Sequence, residues 1–477
     1  MKKQWFLVCS AVILLVLGAG GGCGVSAIKV MRGITENRPR DFKKWQGMFR
    51  WCAAGLPFVD RLPKWVDDKT YIVLLQNSTE LRPSGGFAGS YVRVKFKDGG
   101  LADWTVQDIY VPDGKLPGHV EPPYPVQEAF RQGWWKLRDS NWDIDFASAA
   151  ATVAWFFEQG GEEKVDGIIA VNLKLINQIV GVFGQVKVYS YDQTVTRENL
   201  YSLAQAEAEM DWEPGSTQKR DFLGAAGTAL WERAKSAKPA EIFKLARIIK
   251  TELDRGEIMI WTKDAALEGE VKQWGWDGRW GEYYGDYLYM VETNLGANKA
   301  NCCVQREIEL EVKTEKDKII DKLRIEWVNE NPFKYSVKPF FWGGDYVDYV
   351  RIVVPGDAEV VSVSVSGEEL RPVGVGDFAG PVSLRQKLSE GIWVEEERER
   401  YRIIGFWAVV SAGKKTEAVV EYILPKDEFI DRYRILVRHQ PGMGSFPYKL
   451  NLNGKMVWEG RIEKSERIEA EIVDSKW

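Results

Sequence analysis

The stretch VDGIIAVNLKLINQIVGVFGQVKVYSY, residues 165–191, decides the fold class. VDGIIAVN is a short apolar run, the pattern of a strand buried on both faces. LKLINQIVGVFG repeats its apolar residues at helical spacing, and QVKVYSY reads as a further strand. Strand, helix and strand at this spacing predict a parallel pair joined by a crossover helix. Upstream, YIVLLQN from Tyr71 is another buried strand, and GSYVRVKF and LADWTVQDIY, separated by KDGG, form a hairpin with an Asp-Gly turn. Downstream, VTRENLYSLAQAEAEM opens with a capping signal and helices continue to about Arg255. EIMIW is then a strand, KDAALEGEVKQWGW a helix and DYLYMVE a strand. Together these predict one α/β domain over 69–302, with a mixed sheet between helical layers.

From about residue 303 the helical period disappears. Alternating segments such as VQREIELEVK, KLRIEWVN, DYVRIVVPG and TEAVVEYILP follow one another between turns, and predict a β-sandwich over 303–477. Two folded domains suit a chain of 477 residues.

The N-terminus predicts a membrane anchor over 1–28. Met1-Lys2-Lys3 is followed by QWFLVCSAVILLVLGAGGGCGVSAI, about the length of apolar and small residues that a spanning helix needs. A cleaved lipoprotein signal is the competing reading, but Gly20 stands three before Cys23, where that signal wants a large aliphatic residue. Residues 29–68 alternate charged and aromatic positions and read as a membrane-proximal stalk and linker. Basic residues flank both ends of the span, and Lys29, Arg32, Arg38, Arg40, Lys43 and Lys44 on the body side would by themselves place the body inside.

Composition narrows the chemistry. The formal net charge of −5 is spread along the chain, so no basic field argues for nucleic acid. Cys302 and Cys303 are adjacent, and the five cysteines show no C-x-x-C spacing, so no disulfide framework or thiolate metal site is predicted. With only His119 and His439, a histidine-rich zinc site or a Ser-His-Asp triad lacks material. Chemistry in this chain must run on Arg, Lys, Asp, Glu and bound ions.

Three clusters could carry it. QNSTELRPSGGFAGSY, 76–91, lies at the carboxyl end of the first strand, where α/β sheets take their ligands. There the backbone around Ser84, Gly85 and Gly86 can approach an anion while Arg82 offers a bidentate fork; equally, it is a wide turn in which Glu80 pairs with Arg82. LRDSNWDIDF, 137–146, holds Arg138, Asp139 and Asp143, yet Asp143 or Asp145 can simply cap the helix that follows. STQKRDFLGAAGTALWER, 216–233, puts Lys219 and Arg220 at a helix start, against the helix dipole, which a bound anion would tolerate and an exposed charged turn would also explain. NLGANKANCC, 294–303, is a weaker candidate that reads as an inter-domain loop with Lys299 facing the site.

The order LLQNSTELRPSGGFAGSY, DIYVPDGKLPGHVEPP, LRDSNWDIDF, VDGIIAVN with GVFGQVKV, and NLGANKAN resembles domain-of-unknown-function family four-zero-one-two of bacterial envelope proteins. More distantly, the layout is similar to the LytR-CpsA-Psr phosphotransferases, which move cell-wall glycopolymers from a polyprenyl pyrophosphate lipid outside the membrane. The matching positions are Arg82-Pro83-Ser84, Arg138-Asp139, Gly184-Gln185-Val186 and Lys219-Arg220-Asp221, with Gly85 where the first motif has its aspartate.

That resemblance implies a LytR-CpsA-Psr-like α/β fold and a single-pass protein of the bacterial cell membrane with its bulk extracytoplasmic. It implies Arg82, Arg138 and Arg220 clamping a pyrophosphate, with Asp139 and Asp143 as Mg²⁺ ligands or base. The expected partner is a polyprenyl-phosphate lipid or cell-wall glycan, bound and in the catalytic version transferred. A non-catalytic binding, scaffold or adhesion protein is the alternative.

Overall fold

The computed structural model describes residues 62–131, 133–162, 164–209, 217–282, 284–331, 343–374, 391–426 and 431–472. The expected anchor and nearly all of the stalk lie outside them. No described helix is long and apolar enough to cross a membrane.

The first sheet contains β1 (Thr70–Asn77), β2 (Phe87–Lys97), β3 (Gly100–Asp108), β4 (Gly167–Asn172) and β5 (Ile258–Thr262). Their spatial order is β3-β2-β1-β4-β5, with β1 and β4 parallel and every other pair antiparallel. The predicted hairpin turns at Asp98 and Gly99, both at positive φ. The helices that matter here are α1 (Phe146–Gln159), α2 (Leu173–Phe183), α3 (Leu200–Glu209), α4 (Gln218–Lys235), α5 (Pro239–Asp254) and α6 (Ala265–Trp274).

Strand alternation sorts the layers. Ile72, Leu74, Ile168 and Ala170 face α1 through Ala150, Val153, Phe156 and Phe157. Val73, Leu75, Ile169 and Val171 face α2, α5 and α6. The result is a mixed sheet with helices on both faces. Helix α1 starts where Asp145 accepts a hydrogen bond from the Ser148 N–H at 3.0 Å. It stops at Gly160, where a Cβ would lie 2.6 Å from the Pro112 carbonyl oxygen.

The opening stretch folds differently from its predicted topology. Val186–Val188 does not join the sheet; it pairs with Gln193–Val195 in a separate two-stranded ribbon. The parallel partner of β4 is β1, so the crossover runs through α1 rather than α2. Helix α2 ends at Gly184 with φ +78°, and the place beside β4 is taken by β5, whose IMIWT supplies apolar residues to both faces.

The β-rich part also begins earlier than predicted. Asp286–Val291, read above as the last strand of the α/β domain, lies mid-sheet among the later strands. It is parallel to Arg432–Arg438 and antiparallel to Tyr346–Pro355, and all six of its residues are buried. Two seven-stranded sheets result. They share one core, in which Leu310, Leu323 and Ile325 of one sheet meet Val350, Ile352 and Phe406 of the other. Cys302 and Cys303, expected to stay unbridged, form a vicinal disulfide.

The two regions are joined through polar and aromatic contacts. Arg398 donates to both oxygens of Asp143 at 2.9 Å, and the Arg351 guanidinium stacks over Trp142 at 4.4 Å while donating to its carbonyl. The Ser84-Gly85-Gly86 turn packs against Pro441 and Gly442. A Cβ at Gly86 would lie 2.5 Å from the backbone carbonyl of Asn77. Gly86→Ala is therefore expected to destabilise by about 1–3 kcal/mol, the usual cost of forced overpacking; an unchanged denaturation midpoint would refute this close approach.

Candidate functional site

Between the β1–β3 face of the sheet and helices α2, α3 and α4 lies a cavity of about 1080 Å³, at the upper end of the range for small-molecule sites. Most of its wall is apolar. Leu75, Val92 and Val106 line the sheet side, and Ile176, Leu223 and Leu230 the helix side. Helix α4 leaves the space open because LGAAG, 223–227, puts Ala226 and Gly227 toward the sheet; a Cβ at Gly227 would already touch the Trp104 ring at 3.3 Å.

One end of the cavity is polar. Arg82, Arg138, Lys219, Arg220 and Lys299 line it, together with Glu80 and Asp139. It lies beyond the carboxyl end of β1, where backbone geometry aims loops at a common point. Arg82 is almost fully buried, at 3% exposure. Its Nη1 donates to the Asn294 carbonyl at 2.5 Å and its Nη2 to Glu80 at 3.0 Å, with Asp139 3.6 Å away. Arg138 donates to Asp113 at 2.8 Å, approaches Asp139 at 3.7 Å and stacks over Tyr110. Lys219 reaches over β2 at Gly89, where a Cβ would meet its Nζ at 2.9 Å. Arg220 pairs with its neighbour Asp221 at 2.8 Å.

Burial pushes the Glu80 and Asp139 carboxyls above their usual range, with Arg82 as the main opposing charge. Asp113 is likewise raised by burial and held down by Arg138. The polar end is thus a packed network of arginines and carboxylates, in which a ligand anion would compete with Glu80 and Asp139 for the same guanidinium donors.

Of the residues singled out in the sequence, Arg82, Arg138, Asp139, Lys219, Arg220 and Lys299 line this one cavity. The others face elsewhere. The Ser84 hydroxyl accepts from Gln76 at 2.6 Å and Asn141 at 2.8 Å, Gly85 packs against Pro441 of the β-rich region, and Gly86 against the backbone of Asn77 and Ser78. Asp143 is bound by Arg398. The residues present do not fit an Mg²⁺ held jointly by Asp139 and Asp143, because Asp139 sits against two arginines and Asp143 against a third. Among the described residues no group of three or more His, Cys, Asp or Glu is placed to hold a metal.

Several participants escaped the sequence reading. Asp113 comes from the Pro- and Gly-rich loop and gave no signal beyond its place in a long loop. The β-rich region supplies the rest: Gln440 donates to the Arg82 carbonyl at 3.1 Å and the Glu292 carbonyl at 2.8 Å, and Asn301 accepts from the Leu81 N–H at 3.0 Å.

Part of this site lies in a segment that matches a known family model. Residues 67–208 match the sequence model described as a protein of unknown function (DUF4012). The DUF4012 segment contributes Arg82, Arg138 and Asp139 to the cavity, whereas Lys219, Arg220 and Lys299 lie beyond it. No curated protein matches the chain. Among solved structures it is similar to an M1 zinc metallopeptidase of Deinococcus radiodurans bound to a Tyr-Ser-Ala substrate, at 9% identity and TM-score 0.17, covering 31% of this chain and 32% of that one. It is also similar to aminopeptidase A of Legionella pneumophila, at 13% identity and TM-score 0.16, covering 31% and 15%. A third is the Lin1025 protein of Listeria innocua, at 10% identity and TM-score 0.22, covering 47% and 86%. The chain spans about a third or less of the two peptidases, and at these scores none of the likenesses carries an argument.

Arg82→Met would leave Glu80 and Asp139 buried without their main counter-charge, a change that typically costs about 3–5 kcal/mol. Both carboxyls are already raised, and losing Arg82 raises them further, so acid neutralises the problem. The loss measured by chemical denaturation is expected to shrink from pH 7.5 to pH 5; an equal loss at both would show that charge is not its cause.

Proposed function

We propose that this chain is a membrane-anchored extracytoplasmic protein whose cavity binds a polyprenyl-phosphate-linked envelope glycan. The phosphate would sit against Arg82, Arg138, Lys219 and Arg220, and the isoprenoid tail along the groove between the sheet and α4. One observation carries this reading: a single cavity joins a long apolar wall to a cluster of convergent cations. That combination matches an amphiphile with an anionic head.

Binding without transfer is the second reading, and the same site favours it in one respect. The carboxylates proposed for a metal are separated and already paired with arginines, so phosphoryl transfer would have to rely on arginine and lysine alone to neutralise charge. Full-length protein in nanodiscs, given a labelled polyprenyl-pyrophosphate glycan and a hydroxyl-bearing acceptor, separates the two: both predict binding, and only the transferase moves the glycan phosphate to the acceptor hydroxyl and releases the lipid as its monophosphate.

Ala226→Phe, which fills the groove, is expected to weaken binding of a short polyprenyl phosphate at least about tenfold, or 1.4 kcal/mol, in a titration of the same preparation. Arg138→Ala should weaken the phosphate ligand more than the matching uncharged alcohol. Unchanged affinity in both variants would remove the cavity from consideration.

A further inference from the structure

The core of the β-rich region holds a second ionisable centre that the cavity does not use. It comprises Asp286 and Tyr433 from one sheet, and Asp321, Tyr422 and Tyr448 from the other, all five fully buried. Asp321 and Tyr422 are direct cross-strand partners. Asp321 occupies an inward position in KIIDKLRIEWVN, in line with Ile319, Leu323 and Ile325, where an apolar side chain would be the ordinary choice.

The two carboxylates have unequal surroundings. Asp286 accepts from the Tyr287 N–H at 2.7 Å and from the Tyr433 hydroxyl, with the Tyr422 hydroxyl at 3.4 Å. Both oxygens of Asp321 lack any hydrogen-bond partner, as does the Tyr448 hydroxyl. Neither carboxyl has a Lys, Arg or His ion-pair partner among the described residues. Two ionised carboxylates in such a core would carry a desolvation penalty of several kcal/mol each with nothing to offset it.

We propose that this core folds around a retained proton, held by Asp321 beside Asp286, which makes the β-rich region a pH-responsive element that loosens as its surroundings become alkaline. The inference stands on the core alone and does not depend on the lipid reading. Asp286, with its donors, is the member suited to charge, and Asp321, with none, is the neutral acid. Burial raises both, Asp286 to about 7 and Asp321 well above the usual range, and the Asp286 charge adds to the rise at Asp321. The other groups facing the pair are the phenols of Tyr422, Tyr433 and Tyr448, all raised by burial beside the carboxylates, and Asp357, whose charge acts on Asp286 in the same upward sense.

The sign follows from linkage. An unfolded aspartate loses its proton near pH 4, while the folded pair keeps one or more protons to neutral pH or beyond. Over that window the folded chain binds more protons, so its stability falls as pH rises, by up to about tenfold in the unfolding constant per pH unit for each proton. The element has a route to the cavity: Asp286–Val291 runs directly into Glu292, whose carbonyl accepts from Gln440, and on to Asn294, whose carbonyl accepts from Arg82.

The test is denaturation of the full chain from pH 4.5 to 9, with Asp321→Asn and Asp321→Leu beside the natural protein. The natural midpoint should fall with rising pH, and both substitutions should flatten that slope and raise the midpoint at pH 8. Infrared difference spectra should show a protonated carboxylic acid at neutral pH that Asp321→Leu removes, which tests the assignment even if one variant folds poorly. An unchanged slope, or no such carboxylic acid, overturns the proposal. So does a stoichiometric metal ion in the purified protein whose removal by chelator destabilises it, since the charge would then be balanced by a cation.

Discussion

The buried guanidinium of Arg82 is the interaction on which the arrangement of this chain depends. A cation at 3% exposure is tolerable only when its donors are answered, and the answers come from both halves of the molecule: Glu80 and Asp139 from the α/β part, and the Asn294 carbonyl from the segment entering the β-rich part. Gln440 then fixes the Arg82 backbone from behind. The two regions are bound to one another where the cavity is most polar, so the geometry of the candidate site cannot be separated from the docking of the sheets.

The apolar portion of the cavity has a different origin. A helix packed tightly on a sheet leaves no space, because side chains normally interdigitate to crystal-like density. Here α4 brings alanine and glycine toward the sheet, and Trp104 already meets Gly227. The void is thus written into side-chain size on one helix face, while its charge is written into loops at the ends of strands.

Much of the first sheet was legible in the sequence, because buried strands, the Asp-Gly turn and the Asp145 cap have local causes. The pairing of Val186–Val188 with Gln193–Val195 was not, since a short alternating segment says nothing about which neighbour it will find. The place of Asp286–Val291 was hidden for a related reason: a strand buried on both faces fits either a parallel α/β sheet or the middle of a sandwich. At the site, residue type and order singled out Arg82, Arg138, Lys219 and Arg220. They could not separate a glycine turn that cradles an anion from one that cradles a neighbouring loop, since both need small residues and close backbone approach. In this fold Gly85 takes the second role against the Pro441-Gly442 loop, Gly86 lies close to the Asn77 backbone, Ser84 is bonded to Gln76 and Asn141, and Asp143 is held by Arg398.

The boundary of the DUF4012 match has a consequence for how such chains can be rearranged. Cut at residue 208, the sheet would lose β5 and leave β4 as an open edge, a template for pairing with other chains. The same cut would strip away α4, and with it one wall of the cavity. The matched segment is therefore the recognisable part of a larger cooperative unit. Taken alone, it would lack the edge strand, the covering helix and the Asn294 carbonyl that answers the buried arginine.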